Sequence, residues 1–222
     1  MRQILLLLSI VLLRPQVPVA DTTFYSVAYV DIAPSSRAAA IAGLKQYREA
    51  SRKEPGFKRM EFFEQVGKPG HFLTIETWSS GKAFDTHAAS QNSKDYRSKI
   101  DSMRLSDYDQ RPYKTLTLSP ARNPAANGTM FVITHVDIGG QDTNAADLLT
   151  HLAETSRKEP GNLRFDILQH TMKANHFTVI EEWQSARAVD AHAAAAHTRE
   201  YRNSLAPIAG SPLDERFYKF LE

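Results

Sequence analysis

Two histidines in this sequence follow a tryptophan at the same distance along the chain. His87 lies nine residues after Trp78, and His192 lies nine residues after Trp183. Histidine suits proton transfer because its unperturbed pKa of about 6.5 is close to neutral pH, and tryptophan offers a flat stacking surface and an indole N–H. These four are therefore candidates for proton transfer and for stacking. The alternative is that all four simply pack in a core.

A glutamate precedes each tryptophan by two residues, within an alternating run. The strand period of two places that glutamate on one face with the neighbouring aromatic residues. These residues are Phe72, Glu76 and Trp78 in the first run, and Phe177, Glu181 and Trp183 in the second. An unpaired buried carboxylate is costly. We therefore predict Phe72, Phe177 and both glutamates to bind substrate, unless the glutamates are exposed or pair with an arginine such as Arg59 or Arg164.

These matching residues belong to an internal repeat that covers most of the chain. The hexapeptide Ser-Arg-Lys-Glu-Pro-Gly begins at Ser51 and recurs unchanged 105 residues later at Ser156. The same offset relates both Trp–His pairs, and collinear matches of this kind identify a duplicated unit. Proline disfavours helical geometry in the residue before it and glycine permits a reversal, so the hexapeptide is interpreted mainly as a helix end.

Each copy has the periodicity of a β-α-β-β-α-β unit, the ferredoxin-like order. Alternation predicts first strands over 24–32 and 130–138, and a hairpin follows the hexapeptide in each copy. One second helix per copy is predicted to start after Ser80 or Ser185, because serine is a good N-cap. Closing strands are predicted over 113–118 and 217–221. The fold class is α+β.

The chain divides into four segments by composition. Residues 1–20 combine Arg2 with an apolar run and end at Ala20, which predicts a signal peptide. The run is too short for a membrane span, which needs about 20 residues, although an uncleaved tether is an alternative. Residues 119–129 are rich in chain breakers and form a predicted linker between domains at 21–118 and 130–222.

Charge and cysteine content limit the function. Residues 1–20 hold two of the 27 basic residues and no acidic one, which leaves 25 basic against 25 acidic residues. No basic footprint for nucleic acid is therefore expected. Cysteine is absent, so disulfides and thiolate chemistry are excluded. The signal peptide predicts a periplasmic or secreted protein with no stable membrane insertion after cleavage.

Neither a metal nor an organic cofactor is predicted. His192 and His197 are five residues apart, which is not the i, i+4 spacing that brings two ligands together on one helix face, and the first copy has Asn92 where the second has His197. The sequence also lacks a glycine-rich phosphate loop of the Rossmann or P-loop kind.

Three features of each copy carry a resemblance to a known family: the Lys-Glu-Pro-Gly helix end, the strand ending Ile-Glu-Thr-Trp or Ile-Glu-Glu-Trp, and the alanine-rich helix with its histidine. In these features the sequence resembles the antibiotic biosynthesis monooxygenase family. The resemblance covers about residues 24–118 and 130–222. It implies a dimeric α+β barrel, formed here inside one chain by the two repeats as a pseudo-dimer. A further homodimer of the fused chain is left open.

Members that resemble this sequence include monooxygenases that oxidise quinol-type rings with O2 and no cofactor. The resemblance therefore implies a monooxygenase acting on a small aromatic, phenolic or quinol substrate. Its predicted catalytic residues are Trp78, His87, Trp183 and His192. The alternative is a non-catalytic ligand-binding or stress-response module of the same fold. Haem cleavage is less expected, because relatives that cleave haem carry an asparagine on the first strand, where this sequence offers Tyr29 and His135.

The two copies differ at several predicted pocket positions. Tyr29 and His135 occupy equivalent positions in the two copies, and so do Phe84 and Val189. All four are predicted to bind substrate. These differences allow one half to be active and the other inactive.

Overall fold

The computed structural model describes residues 21–120, 128–140 and 144–221. The predicted signal peptide, most of the predicted linker and Glu222 lie outside the described residues, so the signal peptide and the domain limits remain predictions. Within the described ranges, no helix is long and apolar enough to cross a membrane.

The two halves have the same order of elements. In the first half these are β1 (Phe24–Asp31), α1 (Arg37–Ser51), β2 (Phe57–Gln65), β3 (His71–Trp78), α2 (Gly81–Ala88), α3 (Gln91–Asp101) and β4 (Asp109–Thr117). A short 3-10 turn, Pro34–Ser36, precedes α1. In the second half they are β5 (Met130–Asp137), α4 (Ala145–Ser156), β6 (Asn162–His170), β7 (His176–Trp183), α5 (Ala186–Ala194), α6 (Ala196–Leu205) and β8 (Asp214–Leu221).

The predicted second helix of each copy is in fact two helices. Its start is as expected, because the Ser80 and Ser185 side chains accept hydrogen bonds from the backbone N–H of Ala83 and Ala188. The helix then breaks at a residue with extended geometry. That residue is Ser90 in the first half (φ −67°, ψ 158°) and Ala195 in the second (φ −66°, ψ 148°).

The first helix of each half ends before the Glu-Pro-Gly triplet, at Ser51 or Ser156. The glycine that follows is needed for the turn into the next strand. Gly56 has a φ of +84°, and a Cβ atom there would lie 2.6 Å from the side chains of Ala83 and Ser79. The turn leaves Glu54 and Glu159 outside the helices.

All eight strands close into one barrel in the order β1-β3-β2-β8-β5-β7-β6-β4. The last strand of each half bridges to the other half, since β4 pairs with β6 and β8 pairs with β2, all antiparallel. This confirms the predicted α+β fold of two ferredoxin-like repeats that form a dimeric barrel within one chain.

Three apolar cores follow from this closure. The barrel interior draws buried residues from both halves, including Val27 and Phe63 with Phe131 and Leu168. A separate core lies between the sheet and the helices in each half. The helix-side cores are therefore where a pocket belonging to one half can form.

Candidate functional site

Both predicted Trp–His pairs form in the structure, one on the helix side of the sheet in each half. Trp78 ends β3 and stacks on His87 of α2, with ring centroids 4.3 Å apart and ring planes 27° apart. Trp183 and His192 lie 4.7 Å apart at 31°. All four side chains are buried. The nine-residue spacing therefore brings each pair into contact across a strand-to-helix turn.

The glutamate two residues before each tryptophan completes this arrangement. The indole N–H of Trp78 donates to Glu76 Oε2 at 3.1 Å, and that of Trp183 donates to Glu181 Oε2 at 2.8 Å. The histidine Nε2 faces the same carboxyl oxygen, at 3.3 Å in the first half and 3.8 Å in the second. Both glutamates are buried, so exposure does not explain them.

The suggested pairing with Arg59 or Arg164 is wrong. Both arginines bind Glu61, at 2.5 Å for Arg59 Nη2 and 3.1 Å for Arg164 Nη1. The reason is strand alternation. On β2, Met60 and Phe62 belong to the helix-side core, which turns Arg59 and Glu61 toward the barrel interior, on the face opposite to the candidate site.

A second glutamate binds each histidine, and the sequence analysis missed it. Glu54 Oε2 lies 2.7 Å from His87 Nδ1, and Glu159 Oε1 lies 2.6 Å from His192 Nδ1. Both glutamates come from the repeated hexapeptide, which was interpreted mainly as a helix end. A helix end needs the proline and the glycine but no particular acid, so the recurring glutamate was the available signal.

In the first half, Tyr47 fills the space beside the pair. Its hydroxyl lies 2.5 Å from His87 Nε2 and donates to Glu76 Oε1 at 3.4 Å. Its ring stacks on Tyr96, with centroids 4.0 Å apart and planes 7° apart. The sequence analysis missed this tyrosine because its position in α1 follows the ordinary apolar period of a core-facing helix residue.

Charge in the first half favours the protonated imidazole. Burial by itself lowers the pKa of His87, but the hydrogen bonds and negative charge of Glu76 and Glu54 outweigh it, and the net pKa is raised. A protonated His87 donates from both ring nitrogens, to Glu54 and to the Tyr47 oxygen. Such a histidine has no lone pair free to accept a proton.

In the second half, leucines replace the tyrosines and leave a cavity. Leu152 occupies the repeat position of Tyr47, and Leu213 that of Tyr108. The cavity has a volume of about 20 Å³ and is lined by Leu152, Glu181, His192, Tyr201 and Leu213, among others. A volume of roughly 10 to 15 Å³ is enough for one water molecule. The site therefore has room for a water molecule where the first half has a tyrosine hydroxyl.

Two of the titratable groups that line this cavity, Glu181 and His192, favour their neutral forms, while Arg202 and Glu215 of the same lining pair with each other at 3.1 Å. Burial raises the pKa of Glu181 to about 8, against the opposing hydrogen bond from Trp183. Burial also lowers the pKa of His192, and Glu159 only partly offsets it. Because a carboxylate can only accept, the hydrogen of a neutral His192 lies on Nδ1, toward Glu159. Nε2 then keeps its lone pair on the side of Glu181 and the cavity.

Tyr29 and His135, predicted to bind substrate, lie elsewhere. Their rings contact each other across the two halves, with centroids 5.2 Å apart, and Tyr29 packs against the core of the barrel interior. Burial lowers the pKa of His135 to about 4, so this histidine is neutral at pH 7. Alternation along β1 and β5 turns both residues away from the Trp–His pairs.

The remaining predicted residues share the helix side with the site but surround it unequally. Phe72 and Phe177 belong to the helix-side cores. Each lies four residues before the glutamate of its own strand, Glu76 or Glu181, which is about 13 Å along the strand. Val189 is buried in the second core. Phe84 stacks on Phe24 at 4.7 Å and lies 6.3 Å from His87. None of these four residues lines the cavity of the second half.

A larger cavity, about 260 Å³, opens on the other side of the sheet. It is lined by polar residues of both halves, among them Arg59, Thr77, Arg164 and Asp166. None of the four Trp and His residues lines it. Its arginines already bind carboxylates, so we assign the chemistry to the smaller cavity, where the neutral imidazole lies.

A closed barrel of two ferredoxin-like repeats, with a Trp–His–Glu set on the helix side of each, defines a duplicated dimeric α+β barrel. The chain belongs to the antibiotic biosynthesis monooxygenase family, whose pattern matches residues 23–99 and 138–204. No protein of curated function matches the sequence at a significant level.

Solved structures share the fold over nearly the whole chain. A provisionally named monooxygenase from Fusobacterium nucleatum is 14% identical, with a TM-score of 0.79 over 92% of this chain and 94% of that chain. One from Lactobacillus acidophilus is 16% identical, with a TM-score of 0.71 over 90% and 94%. An anthrone oxidase-like protein is 13% identical, with a TM-score of 0.73 over 91% and 93%. At these identities the likeness concerns the fold alone.

Proposed function

We propose that this protein is a cofactor-independent monooxygenase for a small phenolic or quinol-type ring, and that its second half carries the activity. The observation that supports this is the neutral His192, whose Nδ1–H is held by Glu159 and whose Nε2 lies on the side of the cavity. Family membership supports the reaction class. The predicted signal peptide supports a periplasmic or secreted location.

In this proposal His192 Nε2 accepts the phenolic proton and leaves an electron-rich anion. The anion reduces O2, and one oxygen atom becomes a ring carbonyl in place of a C–H bond. The other oxygen leaves as water, which takes the ring hydrogen and the proton returned from His192. The substrate supplies all four electrons that reduce O2 and leaves as a quinone. A general base of this kind contributes roughly 10²- to 10⁴-fold to the rate. The protonated carboxyl of Glu181, which lines the cavity, would orient the ring, while Trp183 packs against His192 behind the lining.

Substrate entry requires the cavity to enlarge. A cavity that holds a benzene ring measures about 150 Å³, against about 20 Å³ here. Leu213, in the stretch between α6 and β8, and Tyr201 of α6 line the cavity, and we propose that they move when a ring binds. The cost of that movement is taken from the binding energy.

The test measures O2 uptake with a panel of quinols and polyphenols, with and without a chelator. The matched variants are His192→Asn and His87→Asn, because asparagine keeps a donor toward Glu159 or Glu54 and loses the Nε2 base. We expect His192→Asn to reduce uptake at least 100-fold and His87→Asn to leave it near the parent value. The proposal would be contradicted if the rate of O2 uptake were the same in His192→Asn as in the parent, or if a chelator abolished O2 uptake.

The small cavity supports a second candidate, a non-catalytic ligand-binding module. The chain has two tryptophans, one at each site, so fluorescence reports binding directly. In a Trp78→Phe variant only Trp183 remains. Quenching by a ring compound without any O2 uptake would favour the binding module over the enzyme.

A further inference from the structure

Three ligand atoms meet on the side of His192 that faces away from Glu181. Glu159 Oε1 lies 2.6 Å from His192 Nδ1 and 2.9 Å from His197 Nε2. All three atoms lie within 4.8 Å of one another, and this is the one such group of metal-ligating side chains in the described ranges. Two imidazoles and one carboxylate therefore share a centre outside the proposed catalytic cavity.

The break between α5 and α6 creates this cluster. Along one continuous helix, residues five apart point in different directions. Ala195 has extended geometry (φ −66°, ψ 148°), so α6 restarts and His197 falls in its first turn. The two imidazole rings then lie 5.9 Å apart. The spacing of five residues was taken to keep the two histidines apart on an unbroken helix, and that assumption is wrong because the helix is broken between them.

The donor set and its surroundings suit a divalent transition cation. Imidazole nitrogen and carboxylate oxygen are the usual protein ligands of Zn²⁺ outside thiolate sites, at about 2.0 to 2.2 Å. Ligands of one tetrahedral ion are then about 3.3 Å apart, slightly wider than the present hydrogen bonds. His197 is about one-fifth exposed while His192 and Glu159 are more buried. The opening at His197 gives a route for the ion and for water ligands.

The ligands are also oriented by neighbours. Thr198 Oγ1 lies 3.3 Å from His192 Nδ1, and the other ring nitrogen of His192 faces Glu181 at 3.8 Å. In metal sites, a carboxylate at the ring nitrogen that does not bind the ion helps to orient the imidazole, and Glu181 lies on that side; the Thr198 hydroxyl lies at the ligand nitrogen itself. No large rearrangement is needed, since the cation would take the place of the two hydrogens that now bridge the carboxylate oxygen and the ring nitrogens.

We propose that the second half binds one divalent first-row transition cation through Glu159 Oε1, His192 Nδ1 and His197 Nε2, with Zn²⁺ as the reference ion. The first half provides its own control. There Glu54 and His87 are present, but Asn92 takes the place of His197 and donates its amide to Glu54 at 3.1 Å. The amide nitrogen that donates to Glu54 has no lone pair for a metal ion, so the first half lacks the third ligand at this position.

The test titrates the tag-free chain with Zn²⁺ by calorimetry and with Co²⁺ by visible absorption. We expect one ion per chain and a tetrahedral-type Co²⁺ spectrum. His197→Asn copies the first half and should weaken binding at least 100-fold. Asn92→His should add a second, similar site. His176→Asn, which alters an ion pair with Asp137 on the rim, should leave binding unchanged.

Metal-free melting curves check that His197→Asn is folded, and a parent melting temperature that rises with Zn²⁺ supports binding to the native state. Parent protein that binds no ion, or His197→Asn that binds like the parent, would overturn the proposal. Two histidines and a carboxylate also suit non-haem Fe²⁺, so anaerobic Fe²⁺ is a second titrant. These readouts measure binding alone. An ion on His192 Nδ1 would move the ring hydrogen to Nε2 and remove the proposed base, so O2 uptake is tested separately on metal-free protein and its failure does not bear on metal binding.

Discussion

The two halves of this barrel hold the same four groups on the helix side of the sheet and use them differently. In the first half the tyrosine from α1 reaches His87 and Glu76, the imidazole bridges two carboxylates, and its pKa is raised. In the second half a leucine stands in that place, the imidazole pKa is lowered, and a small cavity lies beside it. The two halves thus differ in the direction of the imidazole pKa shift and in the space beside the imidazole.

Under the proposed function, duplication separates stability from chemistry. A single chain that contains both subunits of a pseudo-dimer can change one site and keep the other. The first site becomes a saturated hydrogen-bond network that holds β3, α1 and α2 together. The second site keeps a lone pair on Nε2 and a neutral carboxyl, at the cost of an imperfectly filled core.

The largest expected effect concerns pH and Glu181. The native pKa of about 8 is above the ordinary value of 4.5, so the folded protein binds an extra proton between these values, and stability falls as the pH rises through that window. The loss is on the order of 3 to 5 kcal/mol. Burial of neutral His135, which lowers its pKa to about 4, makes stability rise over part of the same window in every variant. Denaturant unfolding from pH 4.5 to 8 should therefore show the Glu181 loss as the difference between the parent and Glu181→Gln. Glu76→Gln, with Glu181 intact, should follow the pH dependence of the parent.

Next in size is the effect of closing the second site. Leu152→Tyr places a hydroxyl where the first half has one, and should reduce O2 uptake at least 100-fold by filling the cavity and occupying His192 Nε2. Leu152→Met, a volume-conserving change, is the control and should keep most of the activity. Equal activity in both variants would show that the cavity is not the reaction site.

Opening the first site should cost stability rather than activity. Tyr47→Leu leaves His87 Nε2 and a Glu76 oxygen without the hydroxyl partner, and an unsatisfied buried polar group costs about 1 to 3 kcal/mol. We expect a lower melting temperature and a tryptophan signal that responds to ring compounds from Trp78. A Tyr47→Leu protein as stable as the parent would mean that the network contributes little.

The smallest expected effect is the one that should be equal in both halves. Ser80→Ala and Ser185→Ala each remove a helix cap that accepts from a backbone N–H at 3.2 or 3.3 Å. Each loss should cost about 1 kcal/mol. Equal losses of unfolding free energy in the two variants would show that the halves differ at the Trp–His site and not in the helices around it. Clearly unequal losses would show that the helices of the two halves also differ in stability.

Sequence alone was enough for the framework. The repeated hexapeptide and the Trp–His spacing identified the duplication and the family, and alternation assigned the strands. It failed where a contact depends on how one element meets another. Tyr29 was predicted to bind substrate and Arg59 was a suggested partner for Glu76, yet strand alternation within a closed barrel places both on the opposite face from the Trp–His pairs. Periodicity says which residues share a face, but not which core that face meets.

The order of elements, the doubling of the unit and the pairing of each tryptophan with a histidine are properties of the sequence, because they depend on local period and spacing. The tertiary structure alone decided that Tyr47 reaches His87, that the hexapeptide glutamate binds the imidazole, and that a helix break brings His197 to Glu159. Those contacts join elements far apart in the chain. Closure of the barrel and packing of the helices fix them, and no pattern within one segment contains that information.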